Sequence, residues 1–182
     1  MTGDDSWNRI FGGFWNDTIR ALGGDDTIYG DRGNDTIFCG YGNDFGSGGD
    51  GDDSIAGQWG NDDLFGGHFD KNDMPIDNDN DKLSGGLGND TLRSAGGNDT
   101  FWGGEGKDTF YIMDNFQGTV RIKDLVGVDD VVSLPSAYKY SNKTTSHGDG
   151  TSIELLDANK ATIGSVFVEN YRLPFFSIEY RR

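Results

Sequence analysis

The chain has 182 residues, 30 of them glycine, and a formal net charge of −16, with a mean hydropathy of −0.62. So polar a chain cannot rest on an ordinary hydrophobic core, and so acidic a one, with no basic patch, would repel nucleic acid. The acidity is uneven: residues 1–111 hold 22 acids against 7 bases, and 27 of all 31 acids are aspartate, whereas disordered acidic tracts favour glutamate.

The first thirty residues contain Asp4, Asp5, Asp17, Asp25 and Asp26, which interrupt any secretory leader or membrane span and imply another export route for an exported protein. From there the chain is periodic. Asp17, Asp26, Asp35, Asp44, Asp53, Asp62, Asp81, Asp90, Asp99 and Asp108 recur every nine residues, with one gap of nineteen. The better copies read GDRGNDTIF (residues 30–38), GGDGDDSIA (48–56) and GGLGNDTLR (85–93). Eleven units fit residues 3–111, the first carrying Asn8 in place of the aspartate. Two residues after the aspartate an apolar side chain returns: Ile19, Ile28, Ile37, Ile55, Leu64, Leu83, Leu92, Phe101 and Phe110, broken only by Gly46. A disordered acidic tail has no reason to keep that register, whereas a solenoid requires it.

Six residues of each unit are turn-formers, and the last three, such as Thr36, Ile37 and Phe38, predict a very short strand with its middle side chain inward. Two units make one turn of a coil, and roughly five turns stacked about 4.8 Å apart give a rod on the order of 25 Å long. Pairing each unit with the next but one places Asp17, Asp35, Asp53, Asp81 and Asp99 in one column. Asp26, Asp44, Asp62, Asp90 and Asp108 form the other, giving eight intervals between turns. The lone Cys39 cannot form an internal disulfide and is read as an ordinary small side chain.

The unit spanning 66–84 is swollen by ten residues around HFDKNDMPIDNDND. Its inserted loop, at about 68–79, carries Asp70, Asp73, Asp77 and Asp79 near His68 and is read as a solvated acidic protrusion, with an additional bound ion as the alternative. The spacing of Asp77, Asp79 and Asp81 is no EF-hand, because Lys82 stands where that loop needs glycine and no glutamate closes it. After Tyr111 the period gives way to alternating strands at residues 119–125, 130–134, 151–157, 161–171 and 175–180. They predict a β cap over the open end of the solenoid, so the chain divides into residues 1–111 and 112–182.

On these ten copies in register, residues 12–111 resemble the parallel β-roll of the RTX (repeats-in-toxin) family of exported bacterial proteins. The run DTFYI with RIKDL and DDVVSL is similar to the segment that closes such rolls. The resemblance implies an all-β fold, a right-handed parallel β-roll with a C-terminal β cap, and calcium between successive turns on one edge. A hard cation taking 6 to 8 oxygens suits glycine-rich turns that offer bare carbonyls, and it offsets the repulsion of stacked aspartates. The family pattern implies that Gly30, Arg32 and Asp35 share an ion with Gly49, Gly51 and Asp53. The matching positions elsewhere are Asp17, Asp26, Gly33, Gly42, Asp44, Gly60, Asp62, Asp81, Gly88, Asp90, Asp99, Gly106 and Asp108. Six to eight ions of Ca2+ are expected, bringing +12 to +16 against the −15 of residues 1–111.

Catalysis is not expected. The two histidines, His68 and His147, lie in different segments, and the chain has neither an HExxH helix nor a GxSxG elbow. The regular threonine column, Thr18, Thr27, Thr36, Thr91, Thr100 and Thr109, follows from strand propensity rather than from an ice-binding face. Phe14, Trp15, Tyr41, Trp59 and Trp102, flanked by Tyr29, Phe38 and Phe65, are read as outward aromatics suited to sugar rings or a protein partner. The resulting expectation is a non-enzymatic calcium-binding β-roll, folded by extracellular calcium, that serves as a structural or adhesive module of a secreted or surface assembly. The alternative is a carbohydrate-binding module of an exported polysaccharide-active enzyme. Expected partners are calcium and either a polysaccharide or another surface or particle protein, with no membrane span.

Overall fold

A nine-residue unit with one inward apolar side chain cannot bury that side chain alone, so neighbouring units must stack. The computed structural model describes residues 1–70, 74–113, 116–125, 130–134, 139–147, 150–156, 162–169 and 177–180. The repeats give β1 (Arg9–Phe14), β2 (Thr18–Gly23), β3 (Thr27–Arg32), β4 (Thr36–Tyr41), β5 (Phe45–Asp50), β6 (Ser54–Trp59) and β7 (Asp63–Phe65). A small hairpin follows, β8 (His68–Phe69) and β9 (Pro75–Ile76), before β10 (Lys82–Leu87), β11 (Thr91–Ser94), β12 (Gly97–Glu105) and β13 (Thr109–Ile112). The remainder is β14 (Gly118–Ile122), β15 (Val131–Leu134), β16 (Lys139–His147), β17 (Gly150–Leu156), β18 (Thr162–Glu169) and β19 (Ser177–Tyr180). No helix occurs among the described residues, so none there is long and apolar enough to cross a membrane.

Alternate strands go to opposite sheets. One sheet has the order β1-β3-β5-β7-β11-β13-β15-β19 and the other β16-β17-β18-β14-β12-β10-β6-β4-β2. Apart from the antiparallel β8–β9 hairpin, every ladder within the repeats is parallel and pairs residues one full turn apart, as in Ile19↔Ile37 and Ile10↔Ile28. Most repeat strands run to six residues rather than the expected three. Stacking holds the first residues of the next turn in the same ladder, so Leu22 pairs with Gly40 and Gly23 with Tyr41.

The apolar column forms the interior, a file one side chain wide in which Ile19, Ile28, Ile37, Leu64, Leu83, Leu92, Phe101 and Phe110 are wholly buried. Gly46 leaves no hole in it, because Cys39, Ile55 and Leu64 close around its α-carbon. Cys39 is buried as a small apolar side chain. Phe101 and Phe110 stack with ring centroids 6.4 Å apart. In so narrow a core a truncation has few neighbours able to collapse into the space. Phe101→Ala is expected to cost about 3–5 kcal/mol, while the exposed Phe11→Ala changes stability by under about 1 kcal/mol. Denaturant unfolding in saturating calcium measures both, and equal losses would contradict a one-file core.

Parallel stacking continues beyond residue 111. β14 and β15 pair with β12 and β13, and β18 and β19 stack on them in turn, while β16, β17 and β18 form an antiparallel meander. The strands expected from the alternating pattern are present within the described residues, except that the one expected at 119–125 ends at Ile122; the parts at 157, 161, 170–171 and 175–176 lie outside them. The strand β16, YKYSN followed by KTTSH less its first tyrosine, carries no apolar alternation, which is why the pattern did not signal it.

Candidate metal sites

The turns place each column aspartate in the same bond. The backbone N–H of one aspartate donates to Oδ1 of the aspartate one turn later: Asp17 to Asp35 (2.7 Å), Asp35 to Asp53 (2.7 Å), Asp53 to Asp81 (2.8 Å) and Asp81 to Asp99 (2.9 Å). The second column runs Asp26 to Asp44 (2.6 Å), Asp44 to Asp62 (2.9 Å), Asp62 to Asp90 (2.8 Å) and Asp90 to Asp108 (2.9 Å). It extends at both ends, with Asn8 N–H on Asp26 and Asp108 N–H on Asp130. Asp130 was not singled out in the sequence, although Val132 two residues on repeats the aspartate-to-apolar spacing. Both columns cross the swollen unit intact, since Asp81 keeps its bonds on either side.

That bond uses only one carboxylate oxygen. The other, Oδ2, is buried without a hydrogen-bond partner in Asp17, Asp26, Asp35, Asp44, Asp53, Asp62, Asp77, Asp81, Asp90, Asp99 and Asp108. A buried carboxylate oxygen with no donor is costly, and these recur at the period of the coil. Glycine holds the opposite side of the gap. A methyl group built on Gly30 would fall on Asp35 Oδ2 and the Gly48 carbonyl, and one on Gly48 on Asp53 Oδ2 and the Gly66 carbonyl. Gly57 and Gly85 stand likewise to Asp62 with Gly85 and to Asp90 with Gly103. At these units the first glycine therefore leaves a cradle where a carboxylate oxygen and a carbonyl of the next turn converge, while Ala21, Cys39 and Ser94 hold that position in three others. Hard, anionic and carbonyl oxygens at such spacing are a donor set for calcium.

Six fourth-position glycines, Gly33, Gly42, Gly51, Gly60, Gly88 and Gly106, have φ between 122° and 138° and sit against the carbonyl one turn before, while Gly24 and Gly97 have φ of 99° and 77°. A side chain there would meet both strain and backbone. Gly49, with φ of 119°, sits on the Asp31 carbonyl in the same way. Arg32 directs its guanidinium outward, 3.4 Å from Asp50 and over the Phe14 ring, which leaves only its backbone carbonyl to serve a cation. Beside the aspartates runs a second ladder that the sequence reading overlooked. Here the later turn donates to the earlier side chain: Asn34 to Asn16, Asn61 to Asn43, Asn89 to Asn61 and Asn98 to Asn80. Its signal is the Asn or Asp that precedes nearly every column aspartate.

Burial sets the electrostatics. Removal from water, countered only in part by the accepted backbone N–H, pushes Asp44 and Asp108 up to about 6 and Asp53, Asp62 and Asp99 up to about 7. Burial raises Asp77 and Asp81 as well, with the charge of Asp99 adding to the first and that of Asp77 to the second. A nearby cation would hold such groups fully charged at neutral pH.

Two expectations are corrected. Asp77 is not part of a solvated protrusion: it is 6% exposed and groups with Asp81 and Asp99, their ligand oxygens lying within 4.8 Å of one another. Asp70 is half-buried and Asp73 lies outside the described residues. Phe65 is not a surface aromatic but fully buried, covered by Phe69 of the hairpin at 5.0 Å between centroids. Trp102 is half-buried, whereas Phe14, Trp15, Tyr41 and Trp59 are exposed.

A parallel coil of short strands with partnerless aspartate oxygens along both edges defines a class, the calcium-binding β-solenoid. The family model of the RTX calcium-binding nonapeptide repeat matches residues 2–37, 40–68 and 76–110, and the chain belongs to that family. Among solved structures it is similar to the extracellular lipase LipA from Serratia marcescens, at 17% identity and a TM-score of 0.35, covering 94% of this chain and 37% of that one. The chain thus spans little more than a third of that lipase's length. A search of curated proteins gave no match.

Proposed function

We propose that this chain is a non-enzymatic structural or adhesive module of a secreted or surface assembly, folded by the calcium it meets outside the cell. The observation that carries this is the set of partnerless buried Oδ2 atoms repeating along both columns. In this reading the ions lie in the intervals between successive column aspartates. Each would be held by the two aspartates with carbonyls of the first and third residues of one turn and the glycines of the next, as at Gly30, Arg32, Asp35, Gly49, Gly51 and Asp53. Six to eight ions follow, and residues 112–182 act as the cap on residues 1–111. Sites of the affinity usual for extracellular modules, about 10⁻⁴ to 10⁻³ M, stay empty in a cytosol and fill outside. Titrating calcium into chelated protein under far-UV circular dichroism tests this. A folding midpoint near those concentrations supports extracellular switching, and one below micromolar calcium overturns it.

A second reading, a carbohydrate-binding module, is favoured by one observation. Tyr41 and Trp59 stack at 4.3 Å between centroids and remain exposed beside Arg20, Leu22 and Phe38. Aromatic faces with polar neighbours suit sugar rings. Calcium-dependent binding to one member of a polysaccharide panel, lost in Trp59→Ala, would establish it; no binding across the panel leaves the structural reading.

A further inference from the structure

In the repeats, position two of each turn is held by glycine or by a residue that takes no part in the column, such as Leu22, Gln58 or Asp31, whose carboxylate is exposed. In the turn that closes the inserted loop it is Asp77. The ten extra residues are looped out as the β8–β9 hairpin, and residues 77–81 then rejoin the coil, with Asp79 Oδ2 accepting at 2.9 Å the Gly51 N–H that in other turns goes to a third-residue carbonyl. The carbonyl of its fourth residue, Asp79, lies against Gly97, as those of other fourth residues lie against the glycine one turn on. The insertion therefore leaves the coil intact and adds one carboxylate to it.

That carboxylate is placed for a ligand. Asp77 Oδ1 accepts the Asp79 N–H at 3.2 Å, which fixes the side chain. Its Oδ2 has no partner, in a residue 6% exposed. It faces Asp81 and Asp99, themselves 1% exposed, whose Oδ2 atoms are also without partners. The three form the one group of three or more potential ligand side chains close enough to hold a single ion among the described residues. Three buried anionic oxygens with no donor among them do not coexist without a cation.

We infer that Asp77, Asp81 and Asp99 form a three-carboxylate site for a hard divalent cation, distinct from the two-carboxylate intervals elsewhere on the coil and tighter than them. The inference rests on the calcium reading proposed above. Affinity in oxygen-ligand sites rises with the number of charged ligands and with rigidity, and this site has one carboxylate more and a side chain fixed by its own turn. The ion would also fasten the hairpin to the coil, because Asp77 directly follows β9. Phe69 from β8 already packs on Phe65, so the loop would be pinned at both ends.

Flow dialysis of radioactive calcium with the full chain tests the site against Asp77→Asn. Asparagine keeps the size and the Oδ1 acceptor, and circular dichroism in millimolar calcium checks that the variant folds. The wild type is expected to show one ion bound at least about tenfold more tightly than the rest. Asp77→Asn should lose that step and keep the weaker ones, and Asp77→Glu should restore it in part. A wild-type isotherm with no tighter step overturns the inference whatever the variants do, as does a tight step that survives in Asp77→Asn. Absence of calcium binding in every protein would instead defeat the calcium reading on which it rests.

Discussion

In excess EDTA at neutral pH the coil is expected to lose its β circular dichroism as a whole, and millimolar calcium to restore it. Eight intervals in the repeats bring column aspartates one turn apart. At about 4.8 Å and an effective dielectric near 20, each fully charged adjacent pair repels by roughly 3 kcal/mol. Several such pairs exceed the roughly 5–15 kcal/mol that separates a folded domain from its unfolded state. The single file of Ile, Leu and Phe offers little reserve, and glycines are costly to order. A divalent ion in each interval turns repulsion into attraction and gives every Oδ2 a partner. Retention of the full signal in EDTA at neutral pH would sink this account.

The second large effect is the pH dependence of the calcium-free protein. Asp44, Asp53, Asp62, Asp99 and Asp108 have folded values raised from 3.8 to between about 6 and about 7. A carboxyl raised on folding binds its proton more tightly in the folded state. Its stabilising contribution is therefore complete below its unfolded value and lost as pH rises through its folded one. With EDTA present, melting temperature should fall between about pH 4 and pH 8, by on the order of 10 °C or more for several groups acting together. Calcium reverses the trend, because its ligands must be deprotonated: under limiting calcium, stability should rise with pH over the same window. A chelated protein whose melting temperature rises from pH 4 to pH 8 would refute the assignment of these buried carboxyls as proton-holding in the absence of metal.

The columns were legible in the sequence because a period of nine with an apolar residue two after each aspartate leaves little freedom. Two units per turn, two sheets and the inward file all follow from it, and the parallel ladders carry that register. Three features were less legible. Asp77 and Asp79 read as loop because a ten-residue insertion hides where the turn resumes, yet counting back from Asp81 places them at positions two and four. Asp130 stands 22 residues after Asp108, off the period, and only its spacing to Val132 marks it. Phe65 sits at a position half-exposed in most units, and it is buried by Phe69 of the insertion together with Ala95 and with Met113 from beyond the repeats. In each case a contact made outside the nine-residue repeat decided the outcome, which periodicity alone cannot signal.

Asp53 N–H reaches Asp81 Oδ1 across 28 residues at 2.8 Å, while Asp35 N–H reaches Asp53 across 18 at 2.7 Å. The coil is thus indifferent to contour length at this corner, provided the chain returns in phase. Material can accumulate there over evolution without disturbing the turns before or after it, and a foreign peptide could be grafted between residues 70 and 75. The graft must return the chain through Asp77, since every residue from there onward is counted from the column it rejoins.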